Sequence, residues 1–447
     1  MSTSAPQRRT LVAVLILVAA VVAASLAWVV ASPVGSSPDE DFHVGSMWCP
    51  PPVDETGCQI STKDGEKAVM VPQSLAKEYV TCYVFDHDNS ALCALNASDE
   101  ELAPTLRWDD GNYPWGYYQF AHLFVQRSTS HAVLTLRTVN TLLAIGLIGA
   151  IIALADSGLK RAISVAVTVA WLPMGVYFVA GMNPSSWAMT GTFAFAAGLL
   201  AATRSVGPRR VGLIACALAG AVLACTSRAD SAFFLFVVTV ALAFAVPLSR
   251  RIIPEAVLAC VASVVAVAVL CWSLRSLSWR KALSAITVAG AITGVPVVIG
   301  LRGHFNNVLT YQPRYMLPLF AVFLLMLLAP SPARANDEGR RVGSESFRLP
   351  SSIAGRVGTG LMAALWAITN ARALYLVIER YAFGRTQHGY PIDLATRNLS
   401  AGNEWWWPTA PIGPMTVWVV GALAGFVAIA LAAYLWGGVT RERLQDH

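Results

Sequence analysis

The sequence predicts an all-α, polytopic membrane protein of about ten to twelve transmembrane helices, with one large disulfide-braced extracellular loop. Three observations predict it. The 447 residues are 55% apolar and only 13% charged, too little polar surface for a chain of this size in water. Apolar runs of membrane length recur from end to end. Charge is also segregated beneath the net +6: residues 32–130 hold fifteen Asp or Glu against five Lys or Arg, a balance of −10 that leaves +16 for the remainder. Basic loops retained in the cytoplasm and one exported acidic segment produce that distribution, so the expected location is the plasma membrane with the N-terminus cytoplasmic. No basic tract with interleaved aromatics is present, and nucleic acid is not an expected partner.

Residues 1–31 give a tail with Arg8-Arg9 and a first helix over Leu11–Ala31. Its apolar run exceeds the 7–15 residues of a signal-peptide core, which favours an uncleaved anchor. Residues 32–130 form the large loop. Cys49, Cys58, Cys82 and Cys93 lie in it, and the short separations favour Cys49–Cys58 and Cys82–Cys93 over the other pairings and over a zinc site. Residues 131–330 form the helix bundle, with spans at roughly 132–154, 162–181, 186–203, 211–226, 231–248, 254–272, 282–301 and 315–330. A polar cytoplasmic linker follows at 331–349. Residues 350–447 then supply spans at 351–370 and 412–436, separated by a second external segment over 371–411 that ends in Trp405-Trp406-Trp407-Pro408. With the first helix this makes eleven spans, whereas the basic loops place both termini inside and require an even number. The conflict sits at Trp272–Lys281, so either 254–272 is re-entrant or the basic stretch after it is an interfacial helix.

The chemistry-bearing stretch is Ser37-Pro38-Asp39-Glu40-Asp41-Phe42-His43, immediately after the first helix. In a short helix beginning after Pro38, Asp39 and His43 are i, i+4 neighbours and Glu40 and His43 are i, i+3 neighbours. Asp39 or Glu40 then serves as a general base, with His43 orienting it or helping these carboxylates to ligate a divalent cation such as Mg or Mn. The plainer alternative is that Asp39 caps that helix and Glu40 and Asp41 complement its dipole.

Three arginines interrupt or border apolar runs: Arg137, Arg228 beside Asp230, and Arg314. A guanidinium matches a phosphate in shape and charge, although Arg228 can equally pair with Asp230. The aromatic run Tyr113-Pro114-Trp115-Gly116-Tyr117 suits either an interfacial belt or a stacking platform for sugar. Asn183-Pro184-Ser185-Ser186-Trp187 reads as a structural turn.

In this order the motifs resemble a family. Pro38-Asp39-Glu40 with His43, the Tyr113–Tyr118 segment, Leu136-Arg137 with Asn140, and Gln312-Pro313-Arg314-Tyr315 resemble signatures of a bacterial integral-membrane family, domain of unknown function 2142. Pro313 and Trp115 depart from its pattern. That family in turn resembles the C-type (GT-C) membrane glycosyltransferases, which take sugars from polyprenyl-phosphate donors. The resemblance implies a GT-C-like fold with Asp39 as general base, and Glu40 assisting it or holding a metal. Arg137 and Arg314 face the donor phosphate in this reading, and the acceptor is a glycan or protein of the cell envelope. A transporter or flippase for lipid-linked sugars and a non-catalytic envelope-assembly protein are the readings from other classes.

Overall fold

A computed structural model describes residues 5–76, 82–84, 86, 88–246, 249–274, 317–329, 353–384, 394–400, 405–407 and 410–438. The chain is mostly helical. Among the described residues, six helices are long and apolar enough to cross a membrane: Arg9–Val29, Thr129–Leu154, Gly207–Ser227, Arg250–Val269, Gly358–Phe383 and Pro414–Leu435. The expected span at 282–301, the 331–349 linker and Arg314 lie outside the described residues, whereas the span expected at 315–330 is described as a helix over Leu317–Leu328.

Helix α1 (Ala5–Val29) leads into a pinned loop and then α2 (Glu40–Trp48). Pairing of Cys49 with Cys58 (Cα–Cα 5.5 Å) and Cys82 with Cys93 (6.3 Å) follows the sequence reading. The first bond ties the end of α2 to a structure that an all-α reading lacks. Strands β1 (Ile60–Lys63), β2 (Glu66–Pro72) and β3 (Leu102–Thr105) form an antiparallel sheet in that order, with Ile60 opposite Val69 and Val69 opposite Thr105. Asp64 and Gly65, both at positive φ (53° and 81°), make its first turn. An Asp-Gly pair between strands is the chemistry a tight hairpin demands.

The short helix α3 (Gly116–His122) precedes α4 (Thr129–Leu154). The expected 162–181 span is two helices, α5 (Ser157–Trp171) and α6 (Met174–Val179). Pro173 explains the break, because a proline pushes the residue before it out of the helical region, and Leu172 is extended (ψ 131°). Helices α7 (Pro184–Ala202) and α8 (Gly207–Ser227) form the packed centre, with nearly every α7 residue buried. A Cβ on Gly191 would lie 2.6 Å from the Gly220 carbonyl, and one on Gly220 2.6 Å from the Phe195 amide. Without a water-driven hydrophobic term between membrane helices, such close backbone approach is what holds them together.

Helices α9 (Ala229–Ala245) and α10 (Ile253–Leu274) follow. α10 is an uninterrupted helix of membrane length. At the end of the bundle where α8 and α10 begin, Arg210 binds Glu255 (2.6 and 2.7 Å) and Arg251 donates to the Ser205 carbonyl (2.9 Å). Helices α11 (Leu317–Leu328), α12 (Ile353–Phe383) and α13 (Pro414–Gly438) complete the chain. α12 corrects the boundary expected at 370: the helix continues to Phe383, so the connection to α13 starts after it. Arg380, one turn from its end, donates to the carbonyls of Tyr83, Asp86 and Asn89 inside the Cys82–Cys93 loop (2.7–2.8 Å). The polar segment and the end of α12 are thereby joined.

Candidate functional site

The loop Val29–Pro38 is held through its own backbone. Arg137, from α4, spends all five N–H groups there. Its Nη1 donates to the carbonyls of Val29 (3.0 Å) and Ser32 (2.7 Å), its Nη2 to Pro33 (2.8 Å) and to Glu40, and its Nε to Glu40 Oε1 (2.9 Å). Glu40 in turn accepts from the amides of Gly35 (3.0 Å), Ser37 (3.4 Å) and Met182 (2.7 Å). Both side chains are sealed, at 0% and 1% exposure. Tyr83 donates to the Val34 carbonyl, Tyr177 and Tyr381 to Ser36 (3.2 and 3.0 Å), and Asn183 to Pro38 (2.6 Å). Glu40 and Arg137, expected to face substrate, instead face each other and the chain.

This clamp delivers Asp39 in a left-handed conformation (φ 61°, ψ 6°) at the start of α2, with no capping hydrogen bond from its side chain. Non-glycine residues rarely adopt that conformation, and where they do the surrounding structure enforces it. The capping alternative therefore does not describe Asp39. Asp39 lines a shallow pocket together with Ser185, Arg228 and Asp230 and the apolar residues Phe178, Ala188, Met189, Phe234 and Pro318.

The pocket's polar wall forms where α7 starts and α8 passes into α9. Asn183 caps α7 by accepting from the Ser185 amide (2.7 Å), and Pro184 occupies its first turn. The stretch expected to be only a turn thus presents Ser185 to the pocket, a residue the sequence reading did not select. Arg228 grips Asp230 through two 2.9 Å hydrogen bonds, donates to Ser185 Oγ (3.3 Å) and lies over the Tyr113 ring at 5.6 Å. The Asp230 side chain is 41% exposed, so this pair, unlike the Glu40 pair, opens outward.

His43 does not reach Asp39. It is buried, its Nδ1 lies 2.7 Å from the Tyr118 hydroxyl, and its Nε2 has no partner. Burial, with Arg228 and Arg107 adding to it, pushes its pKa well below the usual histidine value, and the imidazole is neutral. Asp41 meets Arg107 at 2.5 Å, yet burial moves its carboxyl pKa up. Tyr117 is enclosed, accepting from Asn140 (3.2 Å), while Trp115 remains 41% exposed. Of the expected site residues the pocket region gathers Asp39, Arg228 and Tyr113; Arg314 lies outside the described residues.

The pattern of the family described as "Predicted membrane protein (DUF2142)" matches residues 22–261. The chain belongs to this family. With its membrane-length helices it is a multi-pass membrane protein. The DUF2142 match contains the Arg137–Glu40 pair, Asp39, Ser185, Arg228 and Asp230, ends before α11, and leaves out Tyr381 of the clamp. No curated protein and no solved structure matches the chain.

A divalent cation was expected on Asp39 and Glu40. Glu40's oxygens already accept five hydrogen bonds, and among the described residues no three His, Cys, Asp or Glu side chains cluster to hold a metal.

Proposed function

We propose that the protein transfers a sugar from a polyprenyl-phosphate donor to a cell-envelope acceptor, with the pocket facing the outer side of the plasma membrane. One observation carries this reading: a carboxylate in an enforced left-handed conformation shares a pocket with a guanidinium. Asp39 takes the proton of the acceptor hydroxyl, whose oxygen attacks the anomeric carbon. The bond from that carbon to the phosphate oxygen breaks, and the lipid phosphate leaves with the electron pair. Arg228 stabilises the charge that develops on it, and Asp230 fixes the guanidinium plane. Tyr113, whose ring packs under Arg228, and the exposed Trp115 are the aromatic candidates for contact with the sugar. Glu40 and Arg137 act as positioning residues, because they shape the loop that aims Asp39.

The test is an Asp39→Asn variant in cells otherwise lacking the protein, with envelope glycans and polyprenyl-linked sugars measured together. Loss of an envelope glycan with accumulation of its lipid-linked precursor, at normal protein level, is expected. Glycan and precursor pools identical to wild type would show that Asp39 is not the base.

A further inference from the structure

We propose that Phe42, Tyr113 and the Arg107–Asp41 pair form the acceptor subsite, and that the acceptor is a neutral sugar of a glycan; the inference rests on the sugar-transfer reading above. These groups make a continuous strip beside the pocket. Arg107 lies over the Phe42 ring at 5.4 Å, and the Phe42 and Tyr113 ring centres are 6.4 Å apart. Arg228, on the pocket wall, lies over Tyr113 at 5.6 Å. Phe42 is tied to the proposed base as well, since its amide donates to the Asp39 carbonyl (3.0 Å). The strip can be reached from solvent: the Arg107 side chain is 37% exposed, and Phe42 and Tyr113 are half-buried.

The strip is also built in advance of any ligand. Helix α2 and the segment 107–113 are locked together, because a Cβ at Gly45 would collide with the Arg107 carbonyl and Ser46 Oγ accepts from the Asp109 amide (2.7 Å). The Asp109 carboxylate then accepts from the amides of Asn112 (2.9 Å) and Tyr113 (3.2 Å), which fixes the turn that carries Tyr113. A ligand arriving here has little left to order, so less of its binding energy is lost to entropy.

The chemistry of the strip names the ligand. A sugar ring presents C–H faces that pack on aromatic rings, and hydroxyls that need directed partners. Sites for such molecules combine apolar walls with a few fixed polar groups. Arg107 gives Nη2 to Asp41 Oδ2 (2.5 Å), and a guanidinium–carboxylate pair meets neighbouring hydroxyls as donor on one side and acceptor on the other. Charge decides that the sugar is neutral. Asp39, Asp41 and Asp230 outnumber Arg107 and Arg228, and the donor phosphate claims Arg228, so an anionic acceptor would meet an excess of negative charge.

The test uses glycans released by mild acid from envelopes of cells lacking the protein, split by anion exchange into neutral and acidic fractions. Each fraction is titrated against the full chain in detergent by saturation-transfer NMR. The neutral fraction is expected to bind wild type with saturation on ring C–H protons. Arg107→Gln should weaken this about tenfold, as loss of a hydrogen bond to a charged group implies. Phe42→Leu, which keeps the bulk and loses the ring, should weaken it too. Binding of the acidic fraction alone, or of neither, overturns the proposal, as does unchanged affinity for the neutral fraction in either folded variant. If Arg107→Gln does not fold, Phe42→Leu decides. Failure of the transfer reading looks different: normal envelope glycans in Asp39→Asn, with binding that still depends on Arg107 and Phe42, would refute transfer and keep the sugar site.

Discussion

Two arginine–carboxylate pairs stand on either side of Asp39, and they are built oppositely. Behind it, Arg137–Glu40 is closed: every guanidinium N–H and both carboxylate oxygens are bonded to each other or to backbone, and neither side chain meets solvent. In front of it, Arg228–Asp230 is open, lining a pocket with one carboxylate well exposed. Charge inside a membrane protein is thus no guide to chemistry by itself. What separates scaffold from site is whether the polar atoms are already saturated.

The largest test of that contrast removes one member of each pair. Breaking a sealed pair leaves an uncompensated charge and costs about 3–5 kcal/mol, whereas a pair whose carboxylate is 41% exposed leaves that charge in reach of water and costs less. Arg137→Gln or Glu40→Gln should therefore lower the thermal unfolding temperature in detergent sharply or abolish folded protein, and Arg228→Gln should lower it much less. The double variant Glu40→Gln with Arg137→Met should recover part of the loss, since no lone charge remains. Similar unfolding temperatures for Arg137→Gln and Arg228→Gln would erase the distinction between closed and open pairs.

The same contrast explains what could be read from the sequence. Local features were legible: apolar helices, two disulfides closing short loops, and the Arg228–Asp230 pair two residues apart. The Asp64-Gly65 hairpin is equally local, a short polar signal inside a chain whose pattern is dominated by apolar runs. The closed pair was not legible. Spacing in α2 suggests that Glu40 works with His43, but its partners are Arg137, 97 residues away, and the Met182 amide, 142 away. Asp39's left-handed backbone is likewise a tertiary product, enforced by Tyr83, Tyr177, Asn183 and Tyr381 on carbonyls that carry no sequence signal. The extension of α12 beyond 370 is hidden because Glu379 and Arg380 resemble a polar loop until their partners, Arg397 and the carbonyls of the Cys82–Cys93 loop, are known.

A second, smaller effect is set by pH. His43 lies under the open side, packed by Phe42, Tyr113 and Tyr118, and its folded pKa is depressed. Above about pH 7 the imidazole is neutral in both states and contributes nothing to pH dependence. As pH falls below the unfolded value of 6.5, the unfolded chain takes up the proton first. Stability should then decline by up to about 1.4 kcal/mol per pH unit. Equilibrium unfolding between pH 7 and 5 should show this slope in wild type, and His43→Gln should flatten it. An equal slope in that variant would mean that His43 is not the group responsible.

The smallest expected change in stability bears hardest on the contrast. Asp39 has φ 61°, a conformation that costs a side-chain-bearing residue about 1–2 kcal/mol and glycine nothing. Asp39→Gly removes that cost in the folded state, while the extra freedom of glycine in the unfolded chain takes back about 0.4–1 kcal/mol. The variant should melt within a few degrees of wild type, on either side of it, yet lose sugar transfer completely. If Asp39 were part of the scaffold, as Glu40 is, the same change would remove a structural carboxylate and lower stability by several kcal/mol. A strongly destabilised Asp39→Gly would therefore assign the carboxylate to the clamp and leave the pocket without its base. A variant as stable as wild type and inactive would assign it to the open side, where a conformation this costly is retained for chemistry.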